Sequence, residues 1–188
     1  MKFFKRKTGV PPEAWEPILT SLKEALDPIR PDWYKVTLEQ ISGNLDLIDH
    51  APEPSQVHLE YSDDLDDVLL AMQTFAVIVF TTMEKYIAKP DRDKFAPLLL
   101  DILWLDRKGT TISEYLNSYN RLFTDTTGLH MKMARDIQAC TFGPGNQFGG
   151  ILVRPFVEDI LQGACIMTAT AFGDIKKANS LLPKQTGH

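Results

Sequence analysis

Between Val68 and Met83 run sixteen residues without a single charge, interrupted chiefly by Gln73. The run is shorter than the roughly 18–20 residues that a bilayer-spanning helix needs, and Asp66, Asp67 and Glu84 flank it closely. It therefore predicts a core helix around which the remainder must pack. Leu65, Val68, Leu69, Met72, Ala76, Val79, Met83 and Ile87 share one helical stripe, and Leu70, Val77 and Ile78 widen it until little polar face is left. Ser62 stands where an N-cap hydroxyl is wanted. Asp63, Asp64, Asp66 and Asp67 fill the first two turns, where the helix dipole favours anions. The predicted helix spans 63–88, stops before Pro90 and lies at the centre of a bundle.

Helical spacing recurs on both sides of it. Trp15, Ile18, Leu19, Leu22 and Leu26 mark a first helix that Pro28 ends, with Pro17 in its opening turn. Phe95, Leu98, Leu99, Ile102 and Leu103 mark another, ending near Lys108 and Gly109. Thr111-Ile112-Ser113-Glu114 reads as a capping box opening a helix over 111–123, carried by Ile112, Tyr115, Leu116, Tyr119, Leu122 and Phe123. Leu129, Met133, Ile137 and Cys140 predict a helix from about Gly128 to Thr141. The last predicted helix, 155–178, has Pro155 near its first position, Glu158 and Asp159 early, and Lys176 and Lys177 late.

The period changes between residues 34 and 61. Val36 and Leu38, then Leu45 and Leu47, then Val57, Leu59 and Tyr61 alternate with polar neighbours, and Ser42-Gly43-Asn44 and 51–55 supply turn residues. This predicts a small antiparallel β-meander or hairpin. A helix from Asp32 to Ile48 through Trp33, Val36, Ile41 and Leu45 is the competing arrangement, with Gly43 its weak point. The expected fold is thus mainly α: a bundle-like single domain over 11–179 with this β element, a flexible basic tail at 1–10 and a loose tail at 180–188.

At 188 residues, with 44% hydrophobic and 24% charged side chains, the chain has the composition of one globular domain. Met1–Lys7 is basic but no apolar segment follows it, so a secretory signal is not expected. Cys140 and Cys165 sit far apart within helical patterns, as thiols of a reducing compartment do, which points to the cytoplasm.

Charge is distributed unevenly. Of the formal net charge of −5, the stretch from Val36 to Glu84 contributes ten acids with neither Lys nor Arg. Such a segment argues against nucleic acid as a partner and for a basic protein. Its candidate partner-binding residues are Asp46, Asp49, Glu53, Glu60, Asp63 and Asp64. On one face of a hairpin, Asp46, His50, His58 and Glu60 would also group two imidazoles with two carboxylates. That composition can hold a transition metal, but the spacing of His50 and His58 is not diagnostic and no metal is expected. A second candidate is the Gly-rich loop 142–150, where Gly145, Asn146 and Gln147, with Arg154 on the following helix, could receive an anion at a helix start. It lacks the Lys-Ser/Thr of a P-loop and any preceding strand.

No catalytic motif is present: Gly-x-Ser-x-Gly, His-Glu-x-x-His and Cys-x-x-Cys are all missing. No cofactor is expected. The reading is a non-catalytic binding protein of the inhibitor, immunity or adaptor kind, using an acidic face at 36–84. The alternative is an enzyme or small-ligand binder with a pocket near 142–150.

Overall fold

The computed structural model describes residues 9–44, 61–107, 110–142 and 149–183. Among them are eight α-helices and no strand: α1 (Trp15–Leu26), α2 (Ile29–Asn44), α3 (Asp63–Met83), α4 (Arg92–Leu103), α5 (Thr110–Arg121), α6 (Thr126–Phe142), α7 (Gly149–Ala171) and α8 (Ile175–Leu181). Single 3-10 turns at Pro12–Ala14 and Lys89–Asp91 lead into α1 and α4.

α3 starts where its cap predicts, with the Leu65 amide donating to Ser62 Oγ at 3.2 Å. It ends five residues earlier than expected. Lys85 takes a left-handed φ of 58°, and the Tyr86 amide folds back onto the Thr81 carbonyl at 3.1 Å. That arrangement satisfies free carbonyls at a helix C-terminus and lets the chain reverse. Ile87 is buried all the same, because the turn returns it to the apolar cluster of α1 and α4.

α3 and α7 form the centre. α3 packs against α2, α4, α5, α6 and α7, while α7 packs against α1, α2, α3, α6 and α8. The first half of α3 gives Leu65, Val68, Leu69 and Met72 to a cluster with Ile112, Leu116, Met133, Ile137 and Val157. Its second half gives Ala76 and Val77 to a cluster with Trp15, Leu19, Leu22, Phe95 and Leu99, in which Trp15 meets Phe95 edge-on at 5.3 Å.

Among the described residues the expected β-meander has no strand: 34–44 belong to α2, and its remaining part, 45–60, lies outside the described residues. The inward face of α2 is Arg30, Tyr34 and Thr37, spaced as a helix requires, whereas Val36 is 50% exposed. The competing helix over 32–48 is the arrangement found as far as Asn44, but two of those three buried residues are polar and Val36 of its apolar stripe faces outward, so apolar spacing did not mark the face that packs inward. Trp33 seats α2 on α7 by lying over Gly163, where a Cβ would come within 2.3 Å of the indole.

Three boundaries shift for local reasons. Thr110 opens α5, which places Thr111 inside the first turn instead of at the cap. Asp125 caps α6 by accepting from the Gly128 amide at 3.0 Å. α7 begins at Gly149, so Pro155 is an interior, exposed residue; Val153, Phe156 and Val157 beside it are buried, and their burial offsets the amide that proline lacks. The last predicted helix is two: Gly173, at φ 73°, ends α7, and Asp174 caps α8 by accepting from the Lys177 amide at 3.1 Å.

Candidate functional site

The acids that open α3 divide between solvent and interior. One residue of helix turns the side chain by about 100°, so consecutive aspartates cannot share an environment. Asp63 and Asp64 face outward, and the Asp63 side chain is 97% exposed. Asp66, two positions on, is 4% exposed.

A carboxylate is stable there only with charged partners. Arg30 Nε donates to Asp66 Oδ1 at 2.6 Å, and Arg107 Nη2 and the Tyr61 hydroxyl also donate to this carboxylate. Arg30 Nη1 donates to Gln73 Oε1 at 2.9 Å and to Asp27 Oδ1 at 3.1 Å. Gln73 in turn donates to the Leu26 carbonyl at 3.4 Å, occupying a free acceptor at the end of α1. Trp104 Nε1 donates to Thr74 Oγ1 at 3.0 Å, pinning the end of α4 nearby. One buried network thereby fixes the end of α1, the start of α2, the first half of α3 and the connection after α4.

Burial pushes the Asp66 carboxyl upward, but its bonds from Arg30 and Tyr61 and the charges of Arg30 and Arg107 outweigh this and hold it below the ordinary carboxylate range. Asp67 goes the other way. Burial raises it, Arg107 only partly offsets this, and Asp66, Asp64 and Asp63 add repulsion. Arg107 Nη1 lies 3.4 Å from Asp63 and 3.5 Å from Asp67, while Glu84, at the far end of α3, pairs with Lys177 at 2.6 Å. Four of the acids between Val36 and Glu84 are therefore engaged by basic residues from outside that stretch. Glu39 and Asp64 have no ion-pair partner among the described residues.

Asp46, Asp49, Glu53, Glu60, His50 and His58 lie outside the described residues, as do Gly145, Asn146 and Gln147 of the Gly-rich loop; Arg154 is exposed on α7. Among the described residues no three His, Cys, Asp or Glu side chains converge as a metal site would require. His130 Nδ1 sits 3.8 Å from Glu158 across α6 and α7. Sequence reasoning missed Arg30, Gln73 and Arg107. Gln73 was the visible signal, since a lone amide in an apolar helix needs an internal partner.

A second polar cluster lies between α3, α5 and α6. The buried Tyr119 hydroxyl donates to Asp136 Oδ2 at 3.1 Å, Lys132 pairs with Asp136, and Lys132 Nζ stands 5.7 Å from the Tyr115 ring centroid. Burial, with Asp64, Asp136 and Asp67 nearby, pushes the Cys140 thiol up to about 11. Burial pushes Cys165 to about 11 as well, against a partial offset from Lys177. Both stay protonated at neutral pH, which is the opposite of what a cysteine nucleophile needs.

Only α3, among the described residues, is long and apolar enough to cross a membrane, and 78% of its most apolar window is buried inside the fold. Compared with known protein families, with curated proteins and with solved structures, the chain matches none of them.

Proposed function

We propose that this chain is a non-catalytic binding protein that offers the acidic start of α3, together with the acids leading into it, to a basic protein partner. The observation that carries this reading is the contrast between neighbouring carboxylates. Asp66 is consumed internally, while Asp63, exposed beside Arg107, and Asp64, exposed with no ion-pair partner among the described residues, stand on a helix start that the same network anchors. Asp46, Asp49, Glu53 and Glu60 precede that helix start in the chain with no intervening Lys or Arg. A concentrated negative surface on a fixed backbone speeds encounter with a positive partner and selects against others. The interaction falls with salt, because the Debye length is about 8 Å at physiological ionic strength.

The test is capture from native lysate at low and high salt with the wild type and an Asp46→Lys, Asp49→Lys, Glu60→Lys variant, followed by titration against the purified partner. The variant is expected to keep the wild-type circular dichroism and lose capture. Full affinity in the folded variant, or no basic partner at low salt, sinks the proposal.

A further inference from the structure

Asp67 occupies a position that its three acidic neighbours at the start of α3 do not share. Its side chain is 18% exposed, yet among the described residues no donor bonds its Oδ1. The cation facing it is Arg107, whose Nη1 stands 3.5 Å away and whose Nη2 is committed to Asp66. That same Nη1 donates to Asp63 Oδ1 at 3.4 Å, so three carboxylates draw on one guanidinium. Arg30 gives Asp67 no relief, because its Nε and Nη1 are bonded to Asp66, Gln73 and Asp27.

The other helices packed here bring neutral groups or further acids. Asp63, Asp64 and Asp66 of α3 itself repel Asp67. From α5 the Tyr115 phenol faces it, and from α6 the Cys140 thiol, with Asp136 close to both. Lys132, the amine on that side, already pairs with Asp136. A carboxylate buried on these terms is costly when ionised and sheds the cost by taking up a proton. Burial accordingly raises the Asp67 carboxyl above its ordinary range, Arg107 offsets only part, and the three acids add to the rise.

We propose that Asp67 is a proton switch built into the start of α3. Ionised, it repels Asp63 and Asp66 and competes with them for Arg107. Protonated, it leaves Arg107 to that pair, and the connection after α4 is held more firmly on α3. A carboxyl raised in the folded state favours folding below the unfolded value of about 3.9, and this contribution is lost as pH rises through the folded value. Asp66 acts in the reverse direction, losing its contribution as pH falls from about 3.9. Between them, the two adjacent residues make the fold firmest in mild acid and loosen Arg107 toward neutral pH.

The side-chain carboxyl carbons of the full chain are followed by NMR from about pH 7 to about pH 3, a range that spans both transitions. Urea unfolding is measured over the same range for the wild type and for Asp67→Asn, whose amide has the shape of the protonated acid. The Asp67 midpoint is expected above about 3.9 and the Asp66 midpoint below it. For each pH unit by which Asp67 stands above that value, Asp67→Asn should exceed the wild type about tenfold in folding constant at neutral pH. The advantage should vanish below about 3.9. Asp64→Asn should lower the Asp67 midpoint by removing repulsion, and Arg107→Gln should raise it by removing the attraction. An Asp67 midpoint at or below about 3.9 overturns the proposal, even where Asp67→Asn fails to fold. It is overturned equally if neither Asp64→Asn nor Arg107→Gln moves that midpoint. An Asp67→Asn variant no more stable than the wild type at neutral pH, or more stable by the same amount at every pH, would reduce Asp67 to packing and overturn it too.

Discussion

At the start of α3 the side chain turned into the interior is a carboxylate, Asp66, held by Arg30 and Arg107; near its end it is the ring of Phe80, set edge-on to Tyr86 at 5.8 Å. Both residues are buried, and both tie together elements distant in sequence. They do so under different conditions. The ionic contact must recover the cost of removing three charges from water, so it stabilises only while every partner is present and ionised. The aromatic contact gains from area removed from water and from ring packing, and is indifferent to protonation. A single helix therefore has one buried contact whose stability is conditional on ionisation and one whose stability is not.

The largest expected effect tests whether the two ends are equally strong. Asp66→Ala leaves Arg30 buried without its carboxylate and should cost about 3–5 kcal/mol, while Phe80→Ala should cost a similar amount, about 3–5 kcal/mol, by leaving a cavity. Urea unfolding at a series of pH values then separates them. Asp66 is held below its ordinary range in the folded state, so its contribution is complete above the unfolded value of about 3.9 and is lost as pH falls from there through the folded value. The deficit of Asp66→Ala should shrink across that acidic window and that of Phe80→Ala should not. Parallel curves for both variants would show that the network contributes packing and not charge.

An intermediate effect concerns how α2, which supplies Arg30, is held on the bundle. Gly163→Ala places a methyl against the Trp33 indole and should cost about 1–3 kcal/mol through overpacking, read as a lower midpoint of urea unfolding. A neutral result would mean that the Trp33 indole gives way and does not fix how α2 sits on α7.

The smallest expected effect sharpens the contrast within one turn. Asp64→Ala should change stability by less than about 0.5 kcal/mol, since an exposed acid near a helix start contributes only a few tenths. Two aspartates, two residues apart, should thus differ roughly tenfold in their effect on the midpoint. A large loss in Asp64→Ala would place it in the network and remove it from the partner surface.

The sequence by itself determined what local chemistry decides. Ser62 and the acids behind it set the start of α3, and apolar spacing marked α1, α3, α5 and α6 closely, because capping and periodicity act within one turn of helix. It also displayed the absence of Lys and Arg from 36–84 and the lone Gln73. Only the tertiary structure decided which charges are surface. Asp66 and Asp64 look alike in sequence, and the partners that tell them apart, Arg30 and Arg107, lie 36 and 41 residues from Asp66. The same holds for α2: apolar spacing offered a helix there, but its buried face includes Arg30 and Thr37 while Val36 is exposed, and only Asp66 and α7 decide that orientation. Burial of a polar group depends on what meets it across the fold, and a pattern read along the chain records only its neighbours.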